Sequence, residues 1–290
     1  MELACTLGSA REAGRVHVVH IVQAPKHHSL ESNGKQQERI LQESDRLLED
    51  LQEIGDGYDV AFETSTIVSP RSFEEIFDRA RRTRPDLVLM GWGEDQLWST
   101  ARAERPLEEL TNRLPSDFLV VKDRGLDPSR ILLPTAGGPD SELSAEIAHA
   151  LSSVVDAEIT LLHVVDSPDD QATGEQFLAN WTDAHDLENV NFVVDDSGDI
   201  EEAIKREAEN HTMIMIGATE KGLLSRLIKE SLHIDVVNEV DCSVLLAERP
   251  SQRSFRQRLF GDGARGRTHI QEYQQIEDVA AEPETPPSEE

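Results

Sequence analysis

Few residues of this 290-residue chain could do chemistry, and each type needs a different partner. Two glycine-bearing turns follow apolar runs, in Arg130–Gly138 (RILLPTAGG) and Met213–Gly222 (MIMIGATEKG). Glycine lets a backbone approach an anion with no Cβ in the way. His20 and His163 could act as bases, but each lies inside an apolar run and the two runs match, which reads as a satisfied core or strand-end histidine. The His27-His28 doublet has no carboxylate or cysteine at ligand spacing, so no metal site is expected. Cys5 and Cys242 are too few for a disulfide framework and read as small buried hydrophobes, not nucleophiles. No nucleophile elbow, Walker loop or other hydrolase signature is present. The inventory suits binding, and no catalytic residue is assigned.

Charge narrows the partners. The formal net charge is −29, from 57 acidic and 28 basic residues, which repels nucleic acid and anionic membrane surfaces. Only six of the basic residues are lysines. An acid-rich, lysine-poor composition spread over the whole chain suggests a salt-rich cytosol, where a Debye length of roughly 3 Å at 1 M screens the repulsion. No apolar run reaches the roughly 18 residues needed to cross a bilayer and no secretory leader is seen, so no direct membrane insertion is expected.

The elements that must position these residues recur in one order. Val16–Pro25 (VHVVHIVQAP) matches Ile159–Pro168 (ITLLHVVDSP), with His20 on His163. Ser72–Arg79 (SFEEIFDR) matches Asp199–Arg206 (DIEEAIKR), Leu87–Gly91 (LVLMG) matches Met213–Gly217 (MIMIG), and Phe118–Arg124 (FLVVKDR) matches Ser243–Arg249 (SVLLAER). Two copies of one unit are expected, at residues 1–124 and 130–249, with a disordered tail at 250–290 that is too poor in apolar residues to fold alone.

In the second copy, apolar runs near 131–134, 159–165, 190–194, 213–216 and 244–247 alternate with helical periodicity at 141–155, 171–185, 200–209 and 223–240. Asp140 or Ser141 is the expected cap of the first of these helices. Strict alternation predicts a parallel, doubly wound α/β sheet. The first copy shows strands near 16–22, 60–67, 87–90 and 118–122, with no counterpart of Arg130–Pro134, so it is expected to lack its first strand.

The run LLPTAGG, the run LLHVVD, the turn Gly217–Gly222 and the pair Glu230-Ser231 together resemble the universal stress protein A family over essentially all of residues 130–249. The first copy resembles it more weakly. The resemblance implies the strand order 3-2-1-4-5 in each copy. For members that bind ATP it also implies an aspartate after the first strand, then glycine, two residues, glycine, nine residues, and glycine followed by serine or threonine.

Carried onto this chain, the resemblance implies a degenerate adenine-nucleotide site at Pro134, Thr135, Gly137, Gly138, Gly217, Thr219 and Ser231. Ala136 stands at the aspartate position, and Glu220 and Glu230 stand at the other two glycine positions. A carboxylate facing a phosphate adds bulk and like charge, roughly 4 kcal/mol at 4 Å and an effective dielectric near 20. ATP or another adenine nucleotide is therefore expected to bind weakly or not at all, and no cofactor is required. In the first copy, Pro106–Asn112 (PLEELTN) offers no glycine–serine pair.

Composition and the PTAGGPDS turn also resemble the soluble region that follows the membrane domain of haloarchaeal amino-acid permeases of the cationic amino-acid transporter group. The expected function is a non-catalytic regulatory module, cytoplasmic or at the cytoplasmic membrane face. Its partner would be a transporter domain or a second copy. The alternative is a free-standing stress-response protein that binds an adenine nucleotide in its second copy.

Overall fold

The computed structural model describes residues 1–23, 33–91, 114–217 and 234–250. Met1–Pro250 form one compact unit, and Ser251–Glu290 lie outside the described residues. In chain order the elements are α1 (Glu2–Ser9), β1 (Arg15–Gln23), α2 (Asn33–Gly55), β2 (Ala61–Ser69), α3 (Ser72–Thr83), β3 (Leu87–Gly91) and β4 (Asp117–Lys122). They continue with β5 (Arg130–Pro134), α4 (Pro139–Val155), β6 (Glu158–Val164), α5 (Gln171–Ala184), β7 (Val190–Asp195), α6 (Ile200–Ala208), β8 (Met213–Gly217), α7 (Ile234–Glu239) and β9 (Ser243–Glu248).

The expected pair of doubly wound sheets, each of order 3-2-1-4-5 with the first lacking one strand, is not what forms. The strands make one seven-stranded mixed sheet, β3-β4-β9-β8-β5-β6-β7, and one two-stranded parallel sheet, β1-β2. The departure comes from the meeting of β4 and β9. Both are apolar strands with an edge that would stand bare, and they pair antiparallel from Phe118↔Glu248 to Lys122↔Val244. Edge pairing satisfies two rows of backbone groups at once. It carries β3 and β4 into the larger sheet, whose other strand pairs are all parallel.

Strand alternation sorts the core into two layers. Leu132, Ile214, Val244 and Leu246 pack with Phe73 and Phe77 of α3, Ala203 and Ile204 of α6, and Val236 and Val237 of α7. Ile131, Leu133, Met213, Met215 and Leu245 pack with Leu3 of α1, Leu143, Ile147 and Leu151 of α4, and Leu178 and Trp181 of α5. Phe77 is fully buried and stacks on Phe118 with ring centroids 5.4 Å apart. A side chain of that size contributes about 1.5–3 kcal/mol by burial.

Local sequence explains the helices that frame the C-terminal strand ends. α6 starts at Asp199, whose carboxylate accepts from the Glu202 N–H at 3.1 Å, and Glu201 and Glu202 lie in the first turn where the helix dipole favours anions. α4 starts differently from expectation. Gly138 is its N-cap, Pro139 opens the helix, and no side chain caps it. Pro139 supplies a preset φ and lacks an N–H that would need a partner. Asp140 is thereby inside the first turn and free to bond elsewhere.

Candidate functional site

β5 and β8 are parallel neighbours, but their ladder holds only Ile131↔Met213 and Leu132↔Ile214, whereas β5 and β6 pair over five residues. The carboxyl ends of β5 and β8 therefore part, and this is where the direction of chain progress across the sheet reverses. Ligands of open α/β sheets bind at such a point.

The chain after β5 is built for a tight exit. The Thr135 N–H donates to the Leu162 carbonyl at 2.8 Å, which extends the β5–β6 pairing one residue beyond the strand. Thr135 is buried, and its Oγ1 accepts from the Gly137 N–H at 3.2 Å. Gly137 and Gly138 have φ of 81° and 92°, a region that disfavours any residue with a Cβ. The His163 Nδ1 lies 2.9 Å from the Thr135 carbonyl oxygen, which accepts from it, and the His163 ring tilts against Phe177 at 4.5 Å. His163 thus acts as a strand-end support, as its apolar setting suggests.

Gly217 closes the other side. A Cβ there would stand 2.7 Å from the Asp140 carbonyl carbon and 2.7 Å from the Ser141 nitrogen. The end of β8 therefore lies directly against the backbone of the first turn of α4. Sequence comparison reads this glycine as a ligand position; the structure adds that packing alone demands it.

The structure thus gathers Pro134, Thr135, Gly137, Gly138 and Gly217 at one end of the sheet. Thr219 and Ser231 lie outside the described residues, as do Glu220 and Glu230, the His27-His28 doublet, Trp92, Trp98 and residues 106–112. Ala136 is exposed in the turn.

A charged cluster beside this turn was not anticipated from sequence. The Arg249 N–H donates to Asp140 Oδ1 at 2.7 Å. The Arg249 guanidinium meets Glu146 at 2.6 Å, and Glu142 and Asp117 each at 3.5 Å. Burial pushes the Asp140 carboxyl up to about 6, against the opposing pull of the Arg249 N–H and charge. Burial also raises Asp117, again with Arg249 opposing. The signal missed in the sequence is a lone arginine just past the last strand, 109 residues from its partner Asp140.

Nothing in this arrangement is a nucleophile with a base. Burial raises both the Cys5 and Cys242 thiols, which suits small core residues. Among the described residues, no three His, Cys, Asp or Glu side chains gather as a metal site, and no helix is long and apolar enough to cross a membrane.

Comparison with known proteins agrees with the geometry. Residues 128–248 match the Universal stress protein family, and that region has the family's fold. A universal stress protein from Archaeoglobus fulgidus DSM 4304 is similar over 87% of this chain and 93% of its own, at 15% identity and a TM-score of 0.62. The cytoplasmic domain of a prokaryotic cation chloride cotransporter is similar over 82% of this chain and 87% of its own, at 12% identity and a TM-score of 0.53. A universal stress protein in complex with cAMP covers 41% of this chain and 94% of its own, at 14% identity and a TM-score of 0.33. Among curated proteins, none matches the sequence.

Proposed function

We propose, from a chain whose residues 128–248 match the Universal stress protein family, a non-catalytic regulatory module that binds an adenine nucleotide weakly at the carboxyl ends of β5 and β8. The observation that carries this reading is the early end of the β5–β8 ladder at Leu132 and Ile214. Beyond it lie the positive-φ glycines Gly137 and Gly138 and a helix, α4, whose start no side chain caps. Backbone N–H groups at such a start attract phosphate without any catalytic side chain. Weakness follows from the exposed Ala136 where ATP-binding members of the resembled family carry an aspartate, and from Glu220 and Glu230 at glycine positions of that pattern.

The transporter setting and the salt-rich cytosol rest on the sequence alone. The likeness to the cotransporter domain is a likeness of fold.

Titration of the isotope-labelled chain with ATP, ADP and cAMP tests the reading by amide NMR. Saturable shifts at Gly137, Gly138 and Gly217 are expected. Shifts confined to other regions, or none with any of the three, would remove the site.

A further inference from the structure

Among the described residues, four side-chain nitrogen or oxygen atoms are buried without a hydrogen-bond partner, and three of them belong to His20, Ser44 and Thr66. Topology brings these three together. His20 and Thr66 are paired in the register of β1 and β2, so their side chains stand side by side on one face of the two-stranded sheet. α2 covers that face, because a Cβ at Gly55 would stand 2.6 Å from the ring of Phe62, which shares the face with Thr66. Ser44, Leu48 and Gly55 are buried and recur at helical spacing, so Ser44 looks toward the sheet as Gly55 does. α2 connects two parallel strands and runs back against them. Ser44 lies about 16 Å along the helix from Gly55, and Thr66 about 13 Å along its strand from Phe62. The hydroxyl of Ser44 therefore comes down over Thr66 and His20.

A second, independent observation comes from the matching strands. His163 matches His20 and faces Val194 across β6 and β7 as His20 faces Thr66. α5 covers that pair with Gly174, where a Cβ would stand 2.8 Å from Val194, 3.1 Å from Val165 and 3.3 Å from His163. The layer there is apolar around the histidine, and His163 Nδ1 turns to the Thr135 carbonyl oxygen. On β1 and β2 the position of Val194 holds Thr66, and the helix above presents Ser44. Two hydroxyls thus enter the same layer together.

We propose that His20 Nδ1, Ser44 Oγ and Thr66 Oγ1 form an internal site for one water molecule between α2 and the β1–β2 pair. A buried water typically makes about three hydrogen bonds to groups that are otherwise unsatisfied. Imidazole and hydroxyl groups can each donate or accept, which matches a molecule that does both. Strands about 4.8 Å apart put His20 and Thr66 within reach of one small guest. An ion does not suit the site. Val18, Val22, Thr64 and Val68, the flanking positions of this face, carry no charge to balance it. The water ties α2 to β1 and β2 by polar contacts, at the level where α5 rests on β6 and β7 by close packing of Gly174 on two valines.

The test uses the full chain, isotope-labelled, and rotating-frame NMR cross-relaxation between water and protein. Cross-peaks from a long-lived water to protons of Ser44, Thr66 and the His20 ring are expected. Their absence overturns the proposal even where a variant does not fold. Unfolding in denaturant then compares the parent with Thr66→Val, Ser44→Ala and the double variant. Thr66→Val keeps the shape and removes the hydroxyl, so it should raise the unfolding equilibrium constant about fivefold or more. The double variant should cost clearly less than the product of the two single effects, because both hydroxyls serve one water. A Thr66→Val chain as stable as the parent, or more stable, would show that the hydroxyl has no guest and overturn the site. Independent single effects would overturn its sharing. Coupled effects without water cross-peaks would mean a direct Ser44–Thr66 hydrogen bond, and would overturn it too.

Discussion

The backbone N–H of Arg249 donates to Asp140 Oδ1 at 2.7 Å, so the residue that follows β9 is tied to the first turn of α4. The same carboxyl sits where burial raises it to about 6, above its ordinary value of 3.8. A raised carboxyl binds its proton more tightly in the folded chain, so its contribution to stability is complete below about pH 4 and is lost as pH rises through about 6.

Asp140→Asn keeps an oxygen for the Arg249 N–H and removes the charge. Its stability should equal that of the parent near pH 4 and exceed it near pH 7 by about 1–2 kcal/mol, after allowance for solvent screening of a group that is partly exposed. Urea titrations of both chains at several pH values check this. A difference that shrinks with rising pH would show the opposite sign of coupling.

Gly217→Ala should destabilise the chain by about 1–3 kcal/mol, because its Cβ would meet backbone atoms of Asp140 and Ser141 at 2.7 Å and backbone yields less readily than a side chain. Denaturant midpoints measure the cost. A neutral outcome would mean that α4 shifts freely over β8.

Hydrogen exchange in the chain alone should be about tenfold or more slower in Ile159–Leu162 and Met213–Ile216 than in Val18–Val22 and Leu87–Met90. Among the described residues, the first two segments lie in strands with neighbours on both edges and the others in strands with a neighbour on one. Equal protection of all four would show that the difference in strand neighbours does not govern local opening.

Restoring the family pattern should strengthen nucleotide binding. The triple change Ala136→Asp, Glu220→Gly and Glu230→Gly is expected to raise ATP affinity at least about tenfold by calorimetry, since it removes two carboxylates and their bulk from the glycine positions and restores the aspartate of the family pattern, for a net loss of one negative charge. No gain, or micromolar affinity already in the parent chain, would contradict the reading of these positions.

Much of the chain's local order is legible in its residues. The run ITLLHV contains only one polar residue besides its histidine and lies in β6, and Asp199 followed by Glu201 and Glu202 caps α6 as its type and place suggest. At α4, Asp140 and Ser141 are good caps in isolation, yet neither caps the helix. The chain starts the helix earlier, at Gly138 and Pro139, and commits Asp140 to Arg249.

Sequence periodicity and turn chemistry depend on near neighbours, so the runs that become strands and helices, and the glycine turn after β5, are set by the sequence itself. Strand partnership depends on which edges meet in space. Only the tertiary structure decided that β4 would join β9 antiparallel and so build one seven-stranded sheet where two sheets were expected. The same holds for the two histidines, which sit in matching sequence. His163 finds the carbonyl of Thr135, the residue that follows β5, whereas His20 Nδ1 is buried without a hydrogen-bond partner.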